Sequence, residues 1–136
     1  MNNLVTPFDK LILEAGEIQR ILELPIIADD VNEVVQKGSL LVEYQSRSGK
    51  MLADAKYHLN NKMKSEVLEI MRKLLGKGFS AQAQNALVHS IAKDERMLVD
   101  WLDRINSACT HQIDWCRTLI SKAKEEMKMA GYFNNQ

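Results

Sequence analysis

The side chains best suited to chemistry in this 136-residue sequence are few and scattered. Cys109, His111 and Cys116 form the closest grouping of metal-binding types. On a helix, His111 points about 200° away from Cys109, so the two cannot share a tetrahedral site. The two cysteines lie two turns apart, about 10 Å along a helix, too far for a disulfide between them. They read as buried free thiols of a reducing compartment. His58 and His89 have no catalytic partner visible in the sequence. "GKGFS" (76–80) lacks both the leading glycine spacing and the preceding strand of a phosphate loop, and reads as a hairpin turn. The carboxylate pairs Asp29–Asp30 and Glu125–Glu126 fall at helix ends or on exposed faces. The expectation is a protein that is not an enzyme, with no metal and no cofactor.

Phosphate contact is the chemistry that the residue types do support. Net charge is zero over the whole chain, but it is unevenly spread. Residues 1–36 carry a net charge of −5, residues 37–77 a net charge of +5, and the remainder is neutral. Arg47, Lys50, Lys56, Lys62, Lys64, Arg72, Lys73 and Lys77 all fall within 31 residues. On a helix, Arg47, Lys50, Lys64 and Arg72 share one side, interleaved with Glu43 and Asp54, while Lys62 and Lys73 occupy another. Tyr44, Tyr57 and Phe79 are available to stack bases. The plain alternative is a wetted helix face, offset by an acidic first helix packed beside it.

Helices must position these groups. Glycine, proline and aromatic residues are sparse while Leu, Met, Ala, Lys and Glu abound, which favours an all-α fold of one domain. The first, acidic helix falls within residues 1–28, opened by "TPFD" with Thr6 as the cap and stopped by Pro25. Asp30 and Glu33 resemble a capping box for a long basic helix over 30–75, with Gly38 and Gly49 as candidate breaks. Residues 80–130 read as a short helix capped by Ser80 and then a long amphipathic one, and 131–136 as a frayed tail. No apolar run approaches the ~20 residues of a membrane span, and the N-terminus has no signal-peptide pattern. A soluble, intracellular protein is expected.

The last helix carries the strongest pattern. Leu98, Leu102, Ile105, Cys109, Ile113, Cys116, Ile120, Ala123 and Met127 follow a coiled-coil-like spacing with one extra step of four after Cys109. Trp101, Ala108, Trp115 and Leu119 widen the stripe. The middle helix echoes it through Val42, Gln45, Gly49, Leu52, Lys56, Leu59, Met63, Val67, Ile70 and Leu74. Two such seams joined at "GKGFS" predict a long antiparallel helical hairpin. A thin hairpin leaves apolar surface to bury, so a homo-oligomer is expected. Lys56 is the anomaly in the middle seam. It can snorkel outward, pair with a buried carboxylate, or line a wet interior with Gln45 and Gly49, the reading that fits best.

This order of helices resembles the UvsY-like recombination mediators of tailed phages. The likeness runs from about Val34 to Met129, through "LLVEYQSRSGKMLADAKYHLNNKM", "GKGFSAQAQNALVHSIAKDERMLVDWL" and the amphipathic final helix. Ala53, Ala55, Lys56 and Tyr57 look like that family's small, basic and aromatic run on its DNA-binding helix. The resemblance implies an oligomer in the cytoplasm of a bacterial host that binds single-stranded DNA. It also implies a RecA-like recombinase and single-strand-binding protein as partners. Lys56 then contacts DNA, supported by Lys50, Lys62 and Lys64, with Tyr57, Arg72 and Lys73 alongside. The alternative, from another class, is a helical-hairpin interaction module (adaptor, inhibitor or virion component) that binds no nucleic acid.

Overall fold

A computed structural model of the chain describes residues 4–74, 77–78 and 80–134. Four helices make up the fold: α1 (Phe8–Glu23), α2 (Val31–Leu74), α3 (Ala81–Ser90) and α4 (Lys93–Asn134). With no strand among the described residues, the all-α expectation holds. Helix α2 is continuous through Gly38 and Gly49, so neither expected break occurs. A glycine weakens a helix interior by only about 1 kcal/mol, which packing overrides. Gly38 packs against α4, where a Cβ would sit 3.5 Å from Cys116 Cβ, an ordinary van der Waals contact. The tail expected from 131 is helical as far as Asn134, with Asn135 and Gln136 outside the described residues. Within "GKGFS", Gly76 and Phe79 also lie outside them.

Helices α2 and α4, each more than 60 Å long by their residue counts, form an antiparallel hairpin. Gly38 lies against Cys116, Gln45 bonds to Thr110, and Ser48 bonds to Asn106. The α4 stripe packs as its spacing predicts as far as Ile120, with Leu98, Leu102, Ile105, Cys109, Ile113 and Cys116 buried and Trp101 and Ile120 packed at its edge. Met127, assigned to its end, is 71% exposed where α4 runs past the start of α2. Trp115, assigned to the widened stripe, is instead half exposed at 51%. Leu119, one turn further along, is buried, so the difference is one of direction: Trp115 lies about 40° further round α4 from the buried line than Leu119 or Trp101.

The α2 seam differs from the expected one by a single step. Val34, Leu41, Ser48, Met51 and Ala55 are buried, whereas Val42, Gly49 and Lys56 are exposed. Both sets share the line of Gln45, Leu52 and Leu59 and differ only in which flank completes the heptad. Lys56 therefore points out of the hairpin, and Ala55 fills the position that spacing assigned to it. Gln45 belongs to a hydrogen-bonded polar layer, not to a wet channel edge. Asn106 Nδ2 donates to Gln45 O and to Ser48 Oγ, both at 3.0 Å, and Gln45 Nε2 donates to Thr110 Oγ1 at 2.7 Å.

Helix α1 lies across one side of the hairpin, burying Leu11, Ala15, Ile18 and Leu22. Its terminal carbonyls, which lack partners within the helix, are taken by both long helices. Lys37 Nζ donates to Ile21 O at 2.6 Å and Gln112 Nε2 to Leu22 O at 2.8 Å. At α2, Asp30 Oδ1 accepts from Glu33 N at 3.2 Å, one half of the expected capping box. Ser80 caps α3 as expected, accepting from Ala83 N. Ala92, at a left-handed φ of 56°, turns the chain into α4 and donates its N–H to Glu66 Oε2.

Asn106→Ala removes the donor to the buried Ser48 Oγ, while the Gln45 carbonyl still accepts from the Ser48 hydroxyl. The expected cost is about 1–3 kcal/mol, read as a lower urea midpoint at unchanged m-value.

Candidate nucleic-acid interface

The basic residues of α2 separate into engaged and free groups once their neighbours are placed. Arg47 is engaged. Its guanidinium forms two bonds with Glu14 Oε2, at 2.7 and 3.0 Å, and a third to Thr6 Oγ1 at 3.1 Å. Lys50 is engaged as well, pairing with Asp54 one turn along and donating to Leu4 O at 2.7 Å. Lys62 pairs with Glu66 at 3.3 Å. Lys56, Lys64, Arg72 and Lys73 are exposed and form no ion pair among the described residues.

Asp54 explains why Arg47 and Lys50 turn inward. Its carboxylate is buried and accepts from Thr6 N at 3.1 Å. Thr6 was expected to cap α1, but Pro7 holds the cap position and no side chain caps the helix. Every polar group of Thr6 meets α2 instead. The amide goes to Asp54, the hydroxyl accepts from Arg47, and the carbonyl accepts from His58 Nε2 at 2.7 Å. Phe8 then packs edge-on against the His58 ring. The segment preceding α1 is thus a strap held by side chains from successive turns of α2. Burial alone would raise the pKa of Asp54, but the bonds from Lys50 and Thr6 outweigh it and hold the carboxyl below its ordinary value.

The free groups divide by direction. Lys56 and Tyr57 are neighbours on a helix and point about 100° apart. Tyr57, 45% exposed and edge-on to His58, shares the outward face with Asn61, Lys64 and Leu68, and Arg72 lies at its edge. Lys56 points instead to the side of the hairpin that α1 leaves uncovered. Lys62 and Lys73 point elsewhere again. The sequence-expected set Lys50, Lys56, Tyr57, Lys62, Lys64, Arg72 and Lys73 is therefore not one surface. Its coherent part is Tyr57, Lys64 and Arg72. From Gly49 to Leu74 the outward half of α2 carries one acid, Asp54, which is buried and paired. Val67 and Leu68 make an apolar patch with Met63 and the stem of Lys64.

Among the described residues no three His, Cys, Asp or Glu side chains lie close enough to hold a metal ion, and no helix is long and apolar enough to cross a membrane. Both cysteines are free and buried. Burial pushes both thiols up in pKa, with Lys37 opposing the effect at Cys116, so neither is a ready nucleophile. No known protein family, curated protein or solved structure matches the chain.

The strap makes stability depend on pH. Because the folded pKa of Asp54 is depressed, its contribution is complete above the unfolded value of about 3.9 and is lost as pH falls through the folded value. Asp54→Asn removes that dependence and loosens the strap. Urea unfolding between pH 2 and 6 should show a shallower acid-side decline for the variant, and hydrogen exchange at the Thr6 amide should speed up.

Proposed function

We propose that this protein is a non-enzymatic accessory factor of phage recombination or replication that binds single-stranded DNA on α2 and acts as a homo-oligomer. The observation that carries this reading is the outward face of α2. It offers unpaired Lys64 and Arg72 with half-exposed Tyr57 and exposed Asn61, and the one free acid near it from Gly49 to Leu74 is Glu69, one turn before Arg72. Cations spaced along one helix can follow a phosphate backbone, and a tyrosine between them can stack a base without reading its sequence. Lys56 and Lys73 flank this track. Each copy contributes few contacts, so affinity depends on repeating the face in an assembly, where the second contact becomes intramolecular. In this reading the protein gathers single-stranded DNA and helps a RecA-like recombinase replace single-strand-binding protein. Those two partner proteins follow from the resemblance in helix order alone.

Fluorescence anisotropy with a labelled oligo-dT tests the reading against salt. Lys64→Ala and Arg72→Ala should each make the slope of log K against log salt shallower by about 0.7. Tyr57→Ala should cost about 1–3 kcal/mol of binding at any salt. Lys50→Ala should leave the slope unchanged, since its ammonium is already held by Asp54 and Leu4 O. Absence of binding at low salt would sink the DNA reading and leave the helical-hairpin interaction module.

A further inference from the structure

The two sides of the hairpin are complementary to each other. Helix α1 occupies the side marked by Arg47, Asp54 and His58 on α2 and by Trp101 and Gln112 on α4. About half a turn round α2 lies a strip that nothing covers. Val42 and Gly49 are exposed on it, Leu52 and Leu59 are half-buried, and its one charge is Lys56. A Cβ at Gly49 would meet only Asn106 Nδ2, at 3.8 Å, so the strip has a shallow depression there.

The outer face of α1 presents the matching shape. Leu13, 69% exposed, stands between exposed Asp9 and Glu17, one helical turn to either side, and the same face carries two exposed cations, Lys10 and Arg20. If Leu13 is seated over Gly49, one of the two acids lies toward Lys56 whichever way α1 runs. The flexible stem of Lys56 covers the remaining gap. Helix α1 carries four acids, one of them (Glu14) taken by Arg47, and two cations, whereas the α2 residues of the strip from Gly38 to Met63 include no acid.

Surface area argues for the same occupant. The chain exposes 9897 Å². A compact monomer of 15.5 kDa exposes about 7,200 Å², and a standard interface covers about 800 Å² on each partner. Two such faces per copy account for more than half of the excess.

We infer that the outer face of α1 in one copy docks on the uncovered strip of α2 in the next. The contact is heterologous, head to tail, and leaves the outward face with Tyr57, Lys64 and Arg72 open. Repetition of such a contact closes a ring or extends a filament. The inference rests only on the self-association in the proposed function. Binding of a short oligonucleotide by the Leu13→Arg variant below, whose substitution lies off α2, reports the phosphate contacts separately.

Two variants and their mixture test it by sedimentation or light scattering at 50 µM and on dilution. Leu13→Arg disables the α1 face and Lys56→Glu disables the strip. Each should weaken self-association at least tenfold and run as a monomer. Mixed in equal amounts they should form a 1:1 dimer and nothing larger, because one intact contact remains. A wild-type chain that is monomeric throughout overturns the inference. So does either variant forming dimers alone, which indicates a twofold contact, and so does a mixture that stays monomeric. All the substituted side chains are exposed, so circular dichroism should be unchanged; Glu17→Lys with Val42→Asp supplies an independent pair.

Discussion

The structure depends on how α2 is set against α4, and the polar layer of Gln45, Ser48, Asn106 and Thr110 sets it. Two long amphipathic helices can slide by a heptad with little change in apolar contact, since leucines, methionines and isoleucines replace one another readily. A slide here takes the Asn106 amide away from Ser48 and the Gln45 carbonyl, and the Gln45 amide away from Thr110. Ser48 and the Gln45 carbonyl keep the bond between them, but the two amides lose their acceptors, at about 1–3 kcal/mol for each group left unpaired away from water. Such a layer specifies register more than it adds stability. Since α2 is a single helix through both of its glycines, fixing it at one point fixes it along its length. Gly38 must then meet Cys116, and Val31 must come opposite Ala123, with the last residues of α4 running on beyond the start of α2.

That register decides which side chains are available. With Ala55 against α4, Lys56 has to face outward, and Asp54 has to face α1. Asp54 then organises the N-terminal strap, and the strap takes Lys50 and Arg47 out of the cationic surface. The excess positive charge of the middle segment is thus partly structural. What is left free is smaller than the sequence suggests and gathers on one face, where Lys64 has no acid one turn to either side and Arg72 has only Glu69.

Much of this was legible in the sequence, and the errors have one origin. The α4 stripe, the extent of α1, the Ser80 cap and the bounds of α3 follow from local rules about spacing, capping and prolines, and the structure agrees with them. The α2 seam was misplaced by one residue because the lines 41/48/55 and 42/49/56 flank the same 45/52/59 line equally well. Hydropathy does not settle the choice, since Ser48 is a poor core residue by type and Val42 a good one. What settles it is Asn106, 58 residues away on another helix. Asp54 looked like an interruption in a basic face for the same reason, because its partner Thr6 is 48 residues distant. Trp115 widens the stripe by spacing, but it stands at the far flank of it, about 40° beyond the buried Leu119, and stays half exposed.

Lys56 can be understood from the same geometry. A strip made only of Val42, Gly49, Leu52 and Leu59 would be an unselective sticky surface, able to pair with any apolar helix including its own copy. One lysine in the middle changes that. Two such strips brought together about a twofold axis place lysines of like charge close to each other in a poorly hydrated contact, which is costly. A helix that presents a leucine between two acids meets no such penalty, and α1 of this chain is such a helix. The charge that seemed out of place in a buried seam is therefore well placed on an uncovered one, where it restricts what can lie there.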